Sequence, residues 1–322
     1  MGVQLTWRNG LDDGETAEVM GLLEETEKAD GVAPVGEHVL LRLKAHRDVV
    51  HQIEPVQADV RSEHFILRDS GGALIGYAHL DTEHEAGAGQ LVAELAVHPE
   101  RRGKGAGARL VEALLERAEL GTEPDADTGR LRIWSHGEHP GAVRLAERYG
   151  FHRPRELWRM GRELAEPELP ELPEVQLPEG VAIRTFRPGE DEADVVRVNH
   201  RAFVWHPEQG DMTEQDVRTK EREDWFDPAG FFLAVDAAGE LLGFHWTKVH
   251  PDGTGEVYVV GVDPQAQGGG LGKSLTVAGL RHLRDTGRSR VVLYVEADNV
   301  PAVKVYQRLG FAKLDSDVQF GR

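Results

Sequence analysis

The chain carries the same glycine-rich block twice, and this repeat constrains its fold more than any other feature of the sequence. The segment VHPERRGKGAG (residues 97–107) aligns without gaps with VDPQAQGGGLG (residues 262–272). A second pair of segments, AVRLAERYGF (142–151) and AVKVYQRLGF (302–311), begins 45 residues later in the first half and 40 residues later in the second. A loop absorbs that difference. The same order of blocks in both halves predicts one fold used twice.

The length and one acidic segment predict where the two copies meet. A chain of 322 residues suits two domains, at about 100–200 residues each. Residues 163–179 (ELAEPELPELPEVQLPE) contain six Glu and four Pro but no Lys or Arg. Proline fixes φ and like charges repel, so such a segment stays extended. We predict an N-terminal domain over residues 1–163, a linker over 164–179 and a C-terminal domain over 180–322.

Each half shows the same predicted order of strands and helices. A strand opens it (3–8 and 181–187), a helix follows (12–29 and 190–203), and three apolar or alternating strands come next. After each glycine-rich block come a helix, a β-rich run, a short helix and a last strand. This order predicts the α+β (α/β) class, with two tandem domains that are each a mixed, mostly antiparallel sheet flanked by helices.

Composition removes several classes of function. Lys and Arg total 37 against 56 Asp and Glu, a net charge of −19, which argues against a nucleic-acid partner. With no cysteine, the chain has no disulfide framework, thiolate metal site or cysteine nucleophile, and it fits a reducing cytoplasm. No apolar run approaches the ~18 residues of a membrane span, and the first residues lack a signal-peptide core. Gly2 and Thr6 match a myristoylation pattern, but the segment fits a first strand better. We expect a cytoplasmic monomer with small-molecule substrates and no membrane partner.

The glycine-rich blocks follow a strand and open a helix, which is the arrangement of an anion site. A Walker loop needs G-x-x-x-x-G-K-[ST]; Lys273 and Ser274 fit its end, but Gln267 stands at its first glycine. A dinucleotide fingerprint fits Gly103, Gly105 and Ala108 but fails in the second half, where Lys273 aligns. The pattern [QR]-x-x-G-x-G fits both halves completely, over residues 102–107 and 267–272.

These two hexapeptides, each after an apolar strand ending in Val-x-Pro, resemble the pyrophosphate loop of the GNAT acetyltransferase superfamily. The resemblance implies acetyl-CoA as acyl donor, and it implies a β-bulge at Gly261 that frees backbone donors for the pantetheine arm. The implied acetyl-CoA contacts are Leu95, Ala96, Val97, Arg102, Gly103, Lys104, Gly105, Ala106 and Gly107 in the first half, and Val260, Gly261, Val262, Gln267, Gly268, Gly269, Gly270, Leu271, Gly272, Lys273, Asn299, Val300, Pro301, Ala302, Val303 and Lys304 in the second.

One departure from the superfamily concerns the loop cations. Relatives carry arginines there, as the first half does with Arg101 and Arg102, whereas the second half has Gln267 followed by two glycines. Lys273 is its one nearby cation. The second loop is therefore expected to bind the acidic donor more weakly, or to bind it through backbone N–H groups.

The two halves differ in the residues that could move protons. Acetyl transfer to an amine needs a base for the ammonium and an acid for the departing thiolate. The superfamily places these at positions occupied here by Glu256 and Tyr306. In the ungapped alignment Leu91 and Ala146 replace them, and the nearest acid, Glu94, is offset by three residues and is expected on the opposite strand face. The second half is therefore predicted to be catalytic, and the first to be structural or to bind acetyl-CoA without turnover.

Further segments, among them DGVAPVGEHVL (30–40) and GFHWTKVHPDGTGEVYVVGVDP (243–264), resemble the mycothiol synthases, a tandem GNAT family. That family acetylates the cysteine amine of cysteinyl-glucosaminyl-inositol. The resemblance implies that the substrate contacts are Glu37, Glu208, Lys248, Glu256 and Tyr294, with Glu37 reaching from the first half.

Blander interpretations stay open for these substrate contacts. Glu37 suits a helix start, Glu208 a loop, Lys248 a solvated strand position and Tyr294 a sheet face. Two other functions also stay open: acetylation of another amine, such as an aminoglycoside or a protein N-terminus, and acyl-CoA sensing without catalysis. The pairs His136/His139 and His245/His250 have no third ligand at suitable spacing, so no metal is expected.

Overall fold

A computed structural model describes residues 2–49, 62–82, 91–119, 131–165, 171–204, 209–210 and 212–322. Two compact units make up the chain. The first unit is Met1–Glu156 together with Asp315–Arg322, and the second is Leu157–Leu314. These bounds differ from the predicted ones, because the last strand of the chain belongs to the first unit and residues 157–163 belong to the second.

The first unit begins with the predicted strand and helix, and a second helix follows before the next strand. Its elements in chain order are β1 (Gln4–Arg8), α1 (Asp13–Asp30), α2 (Glu37–Val49), β2 (Ser62–Arg68), β3 (Leu74–Asp81), β4 (Leu91–Val97), α3 (Ala106–Glu119), β5 (Leu131–Ser135), α4 (Pro140–Tyr149) and the start of β6 (His152–Glu163). Helix α1 starts at Asp12, whose side chain accepts from the Glu15 amide at 2.7 Å while Glu15 reaches back, a capping box.

The second unit repeats this order. Its elements are the rest of β6, then β7 (Ala182–Thr185), α5 (Glu192–Ala202), α6 (Glu214–Lys220), β8 (Phe231–Val235), β9 (Leu241–Val249), β10 (Gly255–Val262), α7 (Leu271–Asp285), β11 (Arg290–Glu296), α8 (Val300–Arg308) and the start of β12 (Ala312–Gly321). The predicted α+β class with a mixed sheet flanked by helices is confirmed.

Each unit has one mixed sheet with one parallel contact. In the first unit the order is β1-β2-β3-β4-β5-β12, where only β4 and β5 run parallel. In the second unit it is β6-β11-β10-β9-β8-β7, where only β10 and β11 run parallel. Strand β12 joins the first sheet by pairing Val318 with Ser135, and β6 joins the second sheet by pairing with β11. Each sheet therefore takes one edge strand from the other half of the sequence repeat.

Two apolar layers cover the faces of each sheet. In the first unit, α3 packs on one face through Leu110 and Leu114, and α1 and α2 pack on the other through Leu22 and Val39. In the second unit, α7 and α8 cover one face, and α5 and α6 cover the other over an aromatic core. These are called the α7 face and the α5 face below.

The acidic linker lies on the second unit. Residues 171–178 form no helix or strand, and Leu172 and Val175 pack into the core under α7. The guanidinium of Arg281 donates to the Pro173 carbonyl at 2.9 Å, and the Ser274 hydroxyl donates to the Gln176 carbonyl. These two hydrogen bonds hold the backbone of the segment along α7, and its extended conformation stays a prediction.

Candidate active site

Strand β10 carries a β-bulge on the side that pairs with β9. Val257 pairs with Thr247 and Val259 with Trp246, so Tyr258 is an extra residue between them. Tyr258 and Val259 both pack in the aromatic core of the α5 face, as two adjacent residues of a bulge do. The predicted bulge at Gly261 is therefore wrong in position, since Gly261 pairs regularly with Phe244.

Close packing explains the glycine at position 261. A Cβ added there would lie 2.7 Å from Cε1 of Phe244 and 3.3 Å from Phe203. The position therefore needs glycine for side-chain room on the α5 face.

Glu256 lies two residues before the bulge, on the α5 face. Its side chain is 8% exposed, and its Oε2 is 2.6 Å from the Nε2 atom of His250. In the register of β9 and β10, Glu256 stands directly opposite Lys248. The Glu256 carboxylate is thus buried, hydrogen-bonded and close to the bulge of β10. Such a carboxylate can accept a proton from an amine.

Lys248 is buried, contrary to the solvated position that remained open for it. Its Nζ lies 4.8 Å from the centroid of the Trp225 ring and 5.2 Å from that of Tyr258. Two aromatic faces stabilise an ammonium by cation–π attraction. Lys248 thus brings positive charge to the strand position next to Glu256.

The parallel strands β10 and β11 separate beside these residues. They pair only over residues 255–257 and 291–293, so from Tyr258 onward β10 has no pairing with β11. Tyr294 is the first residue of β11 beyond the paired segment and is 42% exposed. Because Glu256 pairs with Val292 and side chains alternate, Tyr294 shares the α5 face with Glu256.

Tyr306 lies on α8, on the core of the α7 face. Its ring contacts Phe311 edge-on at 5.8 Å between centroids. Burial raises the pKa of Tyr306 to about 12. The phenol is therefore protonated at neutral pH and able to donate. Asn299 begins this helix, and its side chain accepts from the Ala302 amide at 3.3 Å.

The second glycine-rich loop exposes the amino end of α7. Gly268 and Gly270 have φ of +91° and +81°, which only glycine adopts without strain. Gly270 precedes α7, and no side chain caps the helix there. With the exposed Lys273 in its first turn, α7 offers uncapped N–H groups and a cation to an anion. This donor set fits the pyrophosphate of acetyl-CoA.

Gln267 and Arg102 have the same role in the two loops. The Gln267 amide donates to the Val262 carbonyl at 3.1 Å, and the Arg102 guanidinium donates to the Val97 carbonyl at 3.0 Å. Each side chain holds its loop against the end of the preceding strand. Gln267 in the second loop therefore makes the same backbone contact as Arg102 in the first, without its charge.

The first loop has the same backbone conformation, but its two arginines are paired with carboxylates. Gly103 and Gly105 have φ of +70° and +90°, as their counterparts do. Arg102 forms a two-pronged ion pair with Asp30 at 2.6 and 2.7 Å, and Arg101 is 2.8 Å from Asp69. These carboxylates neutralise much of the charge that the sequence offers there to a phosphate.

The first unit has neither Glu nor Tyr at the positions equivalent to Glu256 and Tyr306, and the bulge changes which residue is equivalent to Glu256. Strand β4 pairs with β3 without any register shift. Counting back from the shared Val97 and Val262, the counterpart of Glu256 is Val92, because Tyr258 is an extra residue; the ungapped match to Leu91 is wrong. Ala146 is the counterpart of Tyr306 on α4 and is buried.

Glu94 lies on the face equivalent to that of Glu256, which corrects the predicted opposite face. It is two residues from Val92 and packs under α1 and α2, where the Gly36 amide donates to it. His136 bridges Glu94 at 3.2 Å and Asp317 of β12 at 3.0 Å. Burial alone would raise the pKa of Glu94, but His136 lowers it to about 2.

Sequence reasoning missed this buried network. Burial disfavours the charged imidazole of His136, yet Glu94 and Asp317 raise its pKa to about 10. The ring of His79 lies 5.5 Å from that of His64 and 6.4 Å from that of His38. The signal in the sequence was the pair of histidines on β2 and β3, His64 and His79, because the equivalent strand positions in the second unit are Phe231 and Trp246.

The structure does not test two of the predicted substrate contacts. Glu37 is exposed at the first position of α2 in the first unit. Glu208 lies outside the described residues. Their contacts with substrate stay predictions.

The described ranges contain no group of three or more His, Cys, Asp and Glu residues arranged to hold a metal ion. None of their helices is both long and apolar enough to span a bilayer.

Comparison with known proteins agrees with the repeat. Residues 61–153 match the acetyltransferase (GNAT) domain and residues 197–311 the acetyltransferase (GNAT) family. A tandem GNAT protein from the clavulanic acid biosynthesis pathway has a similar fold, with a TM-score of 0.70 at 20% identity over 100% of this chain and 98% of its own. A GCN5-related N-acetyltransferase from Sphaerobacter thermophilus gives 0.68 at 24% identity, over 99% and 95%. Fold and loops together define a tandem GNAT acetyltransferase.

Curated relatives identify the family within the tandem GNAT acetyltransferases. A mycothiol acetyltransferase of Saccharopolyspora erythraea is 75% identical over 94% of this chain and 100% of its own. One of Actinosynnema mirum is 56% identical over 98% of both chains. The chain belongs to the mycothiol acetyltransferase family.

Proposed function

We propose that this protein transfers the acetyl group of acetyl-CoA to the cysteine amine of cysteinyl-glucosaminyl-inositol, the reaction that forms mycothiol. The single observation that carries the mechanism is the buried Glu256 carboxylate before the bulge of β10, where β10 and β11 part. The family relationship supports the choice of amine. It does not favour the aminoglycoside, protein N-terminus or sensor alternatives.

The proposed reaction begins with proton removal. Glu256 takes a proton from the substrate ammonium, and the free amine attacks the thioester carbonyl. Backbone N–H groups of β10 beyond Tyr258, on the edge that β11 leaves unpaired, donate to the carbonyl oxygen as negative charge develops there. The C–S bond then breaks, and Tyr306 gives its proton to the sulfur of CoA. The nitrogen, which carries one proton too many after its attack, loses that proton through water, and the phenolate of Tyr306 regains it.

The charge around Glu256 suits a polyhydroxylated amine. Lys248 donates to oxygens of the substrate, and Tyr294 offers a hydroxyl at the parting of the strands. Glu256 accepts from the ammonium. The uncapped end of α7 and Lys273 hold the pyrophosphate of acetyl-CoA, and the strand residues 260–262 face its pantetheine arm.

The first unit is proposed to be non-catalytic. Val92 and Ala146 stand where a base and an acid are needed, and no bulge opens β4. Its glycine loop keeps the backbone of an acetyl-CoA site, so it either binds acetyl-CoA without turnover or serves structure alone. We propose that the reaction takes place in the cytoplasm, and the monomeric state stays a prediction.

The direct test is the rate of CoA release from acetyl-CoA with and without cysteinyl-glucosaminyl-inositol. We expect a rate that saturates with this amine and is near zero without it. Glucosaminyl-inositol, which lacks the cysteine, is the matched control and should give no stimulation. Turnover on an aminoglycoside or a peptide N-terminus, with none on the cysteinyl compound, would contradict the proposal.

A further inference from the structure

His250 lies in the turn between β9 and β10, and that turn is tightly held. The His250 amide donates to the Thr254 carbonyl at 2.8 Å, and the Gly253 amide donates back to the His250 carbonyl at 2.9 Å. The Asp252 carboxylate accepts from both the amide and the hydroxyl of Thr254 at 2.9 Å. The backbone that carries the imidazole is therefore fixed next to β10.

His250 joins the buried Glu256 to the protein surface. Among the described residues it is the one side chain that hydrogen-bonds Glu256, at 2.6 Å between Nε2 and Oε2. The His250 side chain is 32% exposed and that of Glu256 is 8% exposed. A base so enclosed needs an exit for each proton that it accepts, and the imidazole provides a path to water.

The neighbouring charged groups do not offer this path. Lys248, opposite Glu256, points its ammonium at the rings of Trp225 and Tyr258 and has no lone pair to accept a proton when charged. Asp252 is engaged by Thr254. His245, the other member of the histidine pair in the sequence, does not offer the path either. It is fully buried, and its Nδ1 atom lies 2.8 Å from the Leu275 carbonyl oxygen.

We propose that His250 is a positioning and proton-relay residue for Glu256. The proposal rests on the proposed role of Glu256 as the base. The N–H bond of the substrate ammonium breaks as an O–H bond forms on Glu256. That O–H bond then breaks as the lone pair of Nε2 on His250 gains the proton, and the imidazolium loses the proton on its other nitrogen, Nδ1, to water. Glu256 is again a carboxylate and now accepts from the Nε2–H group of His250. Water then moves that ring proton from Nε2 back to Nδ1, which readies the pair for the next turnover.

The experiment compares His250→Ala, His250→Gln and Glu256→Gln in the CoA-release assay, with His282→Ala as control. His282 is another partly exposed histidine of the second unit, 3.5 Å from Asp227. General acid–base groups contribute about 10²–10⁴-fold, and we expect kcat of His250→Ala to fall by at least ~10-fold with KM for both substrates little changed. Added imidazole should restore much of the rate of His250→Ala and none of Glu256→Gln.

His250→Gln separates relay from support. Glutamine fills a similar space and donates a hydrogen bond, but it carries no titratable nitrogen. It should therefore be as slow as the alanine variant. If His250→Gln is fully active, or if imidazole fails to rescue a folded His250→Ala, the relay is wrong. If Glu256→Gln itself keeps full activity, Glu256 is not the base, and the relay proposed for His250 is wrong as well.

Discussion

His79 of the first unit and Trp246 of the second occupy equivalent positions in the two sheets. Each lies three residues after a glycine, Gly76 or Gly243, that pairs with the last valine of the next strand. Trp246 stacks on Phe231 at 4.5 Å between ring centroids in an apolar core. His79 is 1% exposed beside other imidazoles. At this position the first unit thus has an ionisable imidazole ring, whereas the second unit has an aromatic ring that does not ionise.

This exchange makes the first unit sensitive to acid. Burial and the neighbouring His64 lower the pKa of His79 to about 3. An unfolded histidine takes up a proton below ~6.5, whereas folded His79 stays neutral down to about 3, so acidification favours the unfolded state over that window. Between pH 7 and pH 5, His79→Phe should lose about 2 kcal/mol less unfolding free energy than the native chain. Urea unfolding at both pH values measures this, and an unchanged pH slope would contradict it.

Replacing the proposed base should remove turnover and spare donor binding. Glu256→Gln keeps the shape of the side chain and loses the acceptor of the ammonium proton. We expect kcat to fall by about 10²–10⁴-fold, with the Kd of acetyl-CoA unchanged in calorimetry. Glu240→Gln, an exposed acid before β9, is the control and should keep its rate. A Glu256→Gln enzyme with native kcat would remove Glu256 from the mechanism.

The proposed acid is tested by a change of one hydroxyl. Tyr306→Phe retains the edge-on contact with Phe311, so the thermal midpoint should stay the same while kcat falls by about 10²-fold or more. Tyr149→Phe is the matched variant, because Tyr149 also lies on the short helix of its unit and donates to Glu112 at 2.7 Å. It should turn over normally. Equal rates for the two variants would show that Tyr306 is not the acid.

Two glycines in equivalent loops distinguish the units. Gly105 and Gly270 have φ of +90° and +81°, and a Cβ at either would meet no atom within 4 Å. Alanine there costs about 1–2 kcal/mol through backbone strain alone. Gly270→Ala should therefore raise KM for acetyl-CoA by about 5–30-fold, and Gly105→Ala should leave steady-state rates intact. The reverse pattern would exchange the roles that we propose for the units.

The sequence predicts the regular elements well because their side-chain periods are local. Strands and helices such as α8, with its Asn299 cap, follow from spacing and capping residues. The bulge at Tyr258 could not be predicted in the same way. In the run EVYVVGV every residue suits a strand, so nothing marks the extra one, and an ungapped alignment mistakes Leu91 for the counterpart of Glu256.

The roles of Glu256 and Tyr306 come from resemblance to a family and stay predictions. Their contacts could not be predicted from the sequence. The contact of Glu256 with His250 depends on how the turn over residues 250–254 folds back. The network around Glu94 needs Asp317, 223 residues further along the chain, and no local pattern relates residues so distant.

The pairing of β12 with β5 has a consequence for how the chain acquires its structure. The first sheet receives its last strand only when residues 315–322 have been synthesised, after the whole second unit. Until then β5 presents an open edge, which is prone to pair with other chains. Cutting the chain at the acidic linker would likewise leave the first fragment without β12 and the second without β6. Neither half of the repeat therefore contains every strand of one sheet, so the repeat in the sequence and the sheets of the fold have different boundaries.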